Sequence, residues 1–123
     1  MLYSIGYQLL ENIEILQDIL QEKGIKILLD VRSRPYSRKG SFNKKVLESF
    51  LPAVGIEYNW VGEILGGFSE IDEDDIRKLA GWQKDRVVCL MCMEVDPDRC
   101  HRKNDIAERL KKYGVSVHHI VNG

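Results

Sequence analysis

The chain reads as a single α/β domain, 1–123, built on a mostly parallel twisted sheet of about five strands with helices on both faces. Two observations predict this. Short apolar runs rich in β-branched residues alternate with segments of helical period from one end of the sequence to the other. Two of the runs, Ile25–Val31 and Val87–Met93, are almost continuously apolar, as strands covered on both faces are. In such a sheet crossovers are right-handed, and ligands bind beyond the carboxyl ends of the strands.

Leu2–Gly6 is a short first strand ended by glycine. Leu9, Leu10, Ile13, Leu16, Ile19 and Leu20 recur at spacings of three and four, which predicts one apolar helix face. Lys23-Gly24 stops that helix. After the strand Ile25–Val31, Pro35, Ser37, Gly40 and Ser41 break any periodicity. Asn43 is placed to cap a second helix with Val46, Leu47, Phe50, Leu51 and Val54 inward, Pro52 near its end and Gly55 beyond it. Ile56–Val61 is a short strand. The glycines of Gly62–Phe68 let the backbone take conformations other residues avoid, or approach a ligand closely. Asp72–Trp82 opens with four acids, suited to a helix N-terminus. Asp96 or Asp98 caps a last helix whose apolar face is Ile106, Ala107, Leu110 and Tyr113. Gly114 ends it, and Val115–Val121 is a final strand.

Apolar residues make up 44% and charged residues 30% of the chain, the balance of an ordinary globular protein. No apolar run approaches the roughly 20 residues of a membrane helix, so no membrane partner is expected. MLYSIGYQLL does not read as a signal peptide. Three cysteines are too few for a disulfide framework, and a cytoplasmic location is expected. The net charge of −1 excludes a uniformly basic surface. Charge is uneven, however: Val31–Leu47 holds Arg32, Arg34, Arg38, Lys39, Lys44 and Lys45 with no acid, and five acids occupy Glu70–Asp75. A local basic patch attracts anions even on a neutral protein.

Chemistry-bearing residues concentrate in Val87–Arg102, VVCLMCMEVDPDRCHR. Strand alternation puts Cys89, Met91 and Met93 on one face and Leu90, Cys92 and Glu94 on the other. Cys89 is therefore expected in the core, and Cys89–Cys92 is not a redox motif of the strand-to-helix type. Cys100 is expected in the first turn of the last helix, where amide groups and the helix dipole stabilise a thiolate or hold a phosphate, with Arg99, His101 and Arg102 beside it. The expected catalytic residues are Cys92 or Cys100 as nucleophile or ligand and Glu94 or His101 as proton-transfer group. The expected substrate-binding residues are Asp30, Arg32, Ser33, Arg34, Ser37 and Arg102, arginines and serines forming a phosphate clamp. Tyr36, Phe42 and Trp60 are available for base stacking. No cofactor is required. Zinc is an alternative, held by Cys92, Cys100 and His101 with His118 or His119, although the spacing is not a familiar one.

The sequence resembles the bacterial and archaeal family known as domain of unknown function 488 (DUF488). The matching pieces are Ser4-Ile5-Gly6-Tyr7, Asp30-Val31-Arg32-Ser33-Arg34-Pro35-Tyr36-Ser37, Phe42, Gly55-Ile56-Glu57-Tyr58, Gly62-Glu63-Ile64-Leu65-Gly66-Gly67, and Cys92-Met93-Glu94 with Cys100-His101-Arg102. Members often carry histidine where this chain has Tyr7. The resemblance implies a compact cytosolic α/β domain and no assigned activity. A looser likeness joins the 92–102 segment to rhodanese and cysteine-phosphatase loops. In those phosphatases five residues separate cysteine and arginine, whereas six separate Cys92 and Arg99 here.

The leading expectation is a small enzyme acting on an anionic, phosphate-bearing substrate, a nucleotide or nucleic acid among them. The rival is a non-enzymatic nucleic-acid-binding module whose Cys/His cluster is structural, and the third is a metal-binding protein. Oligomeric state is not legible.

Overall fold

In the computed structural model of the chain, the five apolar runs pair as one fully parallel sheet in the order β3-β2-β4-β1-β5. The strands are β1 (Leu2–Gly6), β2 (Ile27–Asp30), β3 (Glu57–Trp60), β4 (Val88–Cys92) and β5 (Val117–Ile120). The structure describes residues 1–66, 70–94, 96, 99, 100 and 102–121, except for the side chains of 102–104. β4 is central and every residue in it is buried, which accounts for its unbroken apolar sequence.

The helices divide between the two faces. On one, α1 (Ile13–Glu22) and α2 (Lys44–Ala53) bury Ile13, Leu16, Leu20, Leu47 and Leu51 against Ile5, Leu28, Cys89 and Met91. On the other, α4 (Glu73–Trp82) and the last helical segment bury Ile76, Leu79, Ala80, Ile106 and Leu110 against Leu2, Leu29, Leu90 and Cys92. Leu16 and Leu20 are fully buried; each such side chain contributes about 1.5–3 kcal/mol.

Local chemistry sets the boundaries. α1 begins later than its apolar period, because the Asn12 side chain accepts from the Ile15 amide at 3.0 Å. Leu9 is left 77% exposed in the preceding loop. Gly24, Gly55 and Gly114 all take positive φ where helices stop. Asp72 caps α4 by accepting from the Asp74 amide at 2.9 Å. Asn43 stands at the N-cap of α2 but does not cap it; its Oδ1 accepts from the Ser37 amide at 2.5 Å and closes the basic loop instead.

The last helix departs most from expectation. It starts at Arg102 as a π-helical turn (Arg102–Ala107) and tightens through α5 (Glu108–Leu110) into a 3-10 turn (Lys111–Tyr113). Cys100 therefore lies in a bend before the helix, not in its first turn. The dipole argument for its thiolate does not apply as framed, because the effect fades within the terminal turn. Of the two expected caps, Asp98 lies outside the described residues. The Asp96 carbonyl accepts from the Arg99 amide at 3.1 Å.

The segment Gly62–Leu65 forms a short helix, α3. Gly62 and Gly66 approach protein closely, and Gly67 lies outside the described residues. A Cβ on Gly62 would overlap the Arg32 carbonyl, and one on Gly66 would overlap the Ser33 side chain. Glycine here lets α3 seat directly on the Arg32–Ser33 backbone.

Candidate functional site

The residues at the carboxyl end of the sheet fall into two groups, and the sheet lies between them. Parallel register pairs Asp30 with Met91 and Gly6 with Cys92. Side chains alternate along each strand. Asp30, Arg32, Tyr58 and Tyr7 consequently share the face of Met91, whereas Cys92 points to the other face with Leu90 and Val31.

On the first face, Asp30 is fully buried and Arg32 is 7% exposed. Arg32 donates to Asp30 Oδ1 from Nε at 2.8 Å and from its amide at 3.2 Å, and to Oδ2 from Nη2 at 2.6 Å. The Tyr58 hydroxyl donates to the same Oδ2 at 2.6 Å. Arg32 Nη1 donates to the Tyr7 hydroxyl at 3.3 Å, and the guanidinium lies over the Tyr7 ring at 5.1 Å. Burial by itself would lower the Arg32 pKa; the hydrogen bonds and charge of Asp30 outweigh it and hold the guanidinium well above its usual range. Burial, then the Asp30 charge, pushes the Tyr58 phenol far above the ordinary tyrosine range. Arg32 is thus a buried cation already matched by its own carboxylate. As an anion clamp it is largely spent.

Other members of the basic run are also engaged. Lys39 Nζ donates to the carbonyls of Gln8 at 2.5 Å and Leu10 at 2.8 Å, and Lys44 lies over the Trp60 ring at 5.0 Å. Trp60 donates its indole N–H to the Arg32 carbonyl at 2.7 Å, and Phe42 is buried in a stack on Tyr7. Of the three aromatics expected to stack on bases, only Tyr36 is exposed, at 71%. Arg34 and Arg38 are exposed, and neither side chain has a partner among the described residues. Ser33 packs beside Gly66. The Ser37 hydroxyl accepts from the Lys39 amide at 3.0 Å.

A cleft of about 470 Å³ opens on this rim, lined by Tyr7, Gln8, Tyr36, Ser37, Arg38, Lys39 and Met93. The chain leaving β1 turns to the α1 face, and the chain leaving β4 turns to the opposite face. This divergence opens a crevice beyond the strand ends. Tyr7 and Gln8 hold the two strand ends together through amide donation to the carbonyls of Cys92 and Met93, both at 3.0 Å. Among the described residues no acidic side chain lines the cleft.

On the other face, Cys92 and Cys100 bring their sulfurs within 2.8 Å. Cys92 also donates to the Glu94 carbonyl at 3.6 Å. The Glu94 carboxylate accepts from the Asp96 amide at 3.1 Å and is half-buried. Cys89 is fully buried on the opposite face, as strand alternation predicts. His101 and the Arg102 side chain lie outside the described residues. β5 pairs with β1, not β4, and the Ser4 hydroxyl contacts His119 Nδ1. Among the described residues no three His, Cys, Asp or Glu side chains are grouped to hold a metal.

Sequence reading therefore named both pairs, Asp30–Arg32 and Cys92–Cys100, but joined them in one site that the structure divides. It missed Gln8 and Lys39 as cleft residues and assigned Tyr7 no role. The signal available for Tyr7 was its position immediately after a strand ending in glycine.

No helix among the described residues is long and apolar enough to cross a membrane. No curated protein matches the chain, and no solved structure matches it. One family model does match, over residues 12–74, just over half of the chain. The match runs from the cap of α1 to the first turn of α4. It includes the Asp30–Arg32–Tyr58 cluster and the Gly62–Gly66 contact and stops short of both cysteines. On this match the chain belongs to the family described as Domain of unknown function DUF488.

Proposed function

We propose that this protein binds a phosphate-bearing anion in the cleft between Tyr7 and Arg38. The observation that carries the reading is Arg38: among the described residues its exposed guanidinium has no side-chain partner and no acid lines its cleft. Arginine is the side chain best shaped for two-point contact with phosphate. Its position beyond parallel strand ends is where sheets of this kind take ligands. Tyr36 offers a ring at the mouth for a base, which favours nucleotides or single-stranded nucleic acid over bare phosphate. The reading is one of binding; Cys92 and Cys100, on the other face of the sheet, have no part in it.

The test is a titration with inorganic phosphate, nucleoside monophosphates and a short single-stranded oligonucleotide, followed by thermal shift. A ligand at about a hundred times its Kd adds roughly 2.7 kcal/mol. Arg38→Ala should weaken binding by roughly ten- to a hundredfold, the loss of one charge-assisted contact of about 1.5–3 kcal/mol. Nucleotide binding above phosphate binding supports the Tyr36 role. Absence of any shift, or unchanged binding by Arg38→Ala, overturns the proposal.

A further inference from the structure

We propose that Cys92 and Cys100 form a reversible oxidation site, closing to an intramolecular disulfide when the protein meets a hydroperoxide. Their sulfurs stand 2.8 Å apart as two thiols, not joined as a disulfide. A disulfide needs about 2.05 Å, so closure moves the sulfurs by less than an ångström. The two thiols come from different elements, the last residue of β4 and the bend before the final helix. Both pack in the same core cluster, which holds them together before any oxidant arrives. Cys89 is fully buried on the other side of the sheet and cannot compete.

The pair lies under surface, not deep within the molecule. Met93, Asp96 and Arg99 in the intervening segment are all exposed. Cys100 is 7% exposed against 4% for Cys92, so it is the thiol that meets the peroxide first. The Cys100 thiolate attacks one peroxide oxygen. The O–O bond breaks, an alcohol leaves with the thiol proton, and Cys100 becomes a sulfenic acid. The Cys92 sulfur then attacks the Cys100 sulfur. The S–O bond breaks, and water leaves with the Cys92 proton. Two thiols and one hydroperoxide give one disulfide, one alcohol and one water. A dithiol reductant reverses it by exchange.

The test treats the intact chain with hydrogen peroxide, then unfolds it, alkylates all remaining thiols and maps the peptides. Alkylation should fall from three sites to one, at Cys89, with a linked Cys92–Cys100 peptide that a dithiol reductant removes. Cys100→Ser should retain two alkylated thiols after the same treatment. Three persisting thiols, a bridge to Cys89, a bridge between two chains, or stoichiometric zinc on the untreated protein that blocks closure would each overturn the proposal.

Discussion

Asp30 and Arg32, two residues apart on one strand and its extension, make a buried ion pair in which a single arginine supplies three hydrogen bonds to a single carboxylate. This spacing puts both side chains on one face, and the fully buried carboxylate takes its fourth bond from Tyr58. Removing one member leaves the other charge without compensation. Arg32→Ala should therefore cost about 3–5 kcal/mol in urea unfolding. The double change Asp30→Leu with Arg32→Met should cost less than the sum of the single changes. Additive costs would show that the pair does not act as a unit.

Two glycines should respond in opposite directions. Gly62→Ala drives a methyl into the Arg32 carbonyl and should destabilise by about 1–3 kcal/mol. Gly81 lies in the last turn of α4 with open space where its Cβ would stand. Gly81→Ala should stabilise by about 0.5–1 kcal/mol, since alanine gives up less backbone freedom in a helix. Thermal midpoints of the two variants check both expectations.

Glu73 ties the start of α4 to the chain's last helical turns. Lys112 first, with Tyr113 and Arg109, lowers its carboxyl from 4.5 to about 2. A depressed folded-state pKa means that the unfolded chain binds the proton first. The stabilising contribution is thus present above pH 4.5 and is lost as pH falls toward about 2. Glu73→Gln should flatten acid unfolding across that window, read from thermal midpoints at a series of pH values. An unchanged slope would show that the contacts are too exposed to matter.

Tyr58 gives the alkaline counterpart. Its phenol is held protonated beyond the ordinary value of 10, first by burial and then by Asp30. The unfolded chain loses that proton near pH 10, so stability should decline as pH rises past it. Tyr58→Phe should reduce this dependence and cost about 1.5–3 kcal/mol at neutral pH, the worth of a hydrogen bond to a charged group. Ultraviolet titration of the folded protein should show fewer tyrosines ionising near that pH than in the unfolded chain, and Tyr58→Phe should narrow that difference by one.

Periodicity was sufficient for the position along the chain and the type of all five strands and the main helices, because a repeat of two or of three to four records which side chains leave water. It also separated Cys89 from Cys92, since alternation within a strand needs no partner. Helix starts were less legible. Asn12 competed with the apolar period of α1, and Asn43 spent its side chain on the Ser37 loop. The place of Cys100 before the last helix goes with its packing against Cys92, a contact no local pattern encodes.

By itself, the sequence determined an α/β domain with two strands covered on both faces and a basic loop beyond β2, because burial on both faces leaves an unmistakable apolar run. Only the tertiary structure decided that Asp30 and Arg32 lie across the sheet from Cys92 and Cys100. Which face a side chain takes relative to a neighbouring strand depends on register. A shift of one residue exchanges the faces, and register is set by pairing between distant segments. The same pairing turned Arg32 from an expected ligand clamp into an internal cation and left Arg38 facing the cleft.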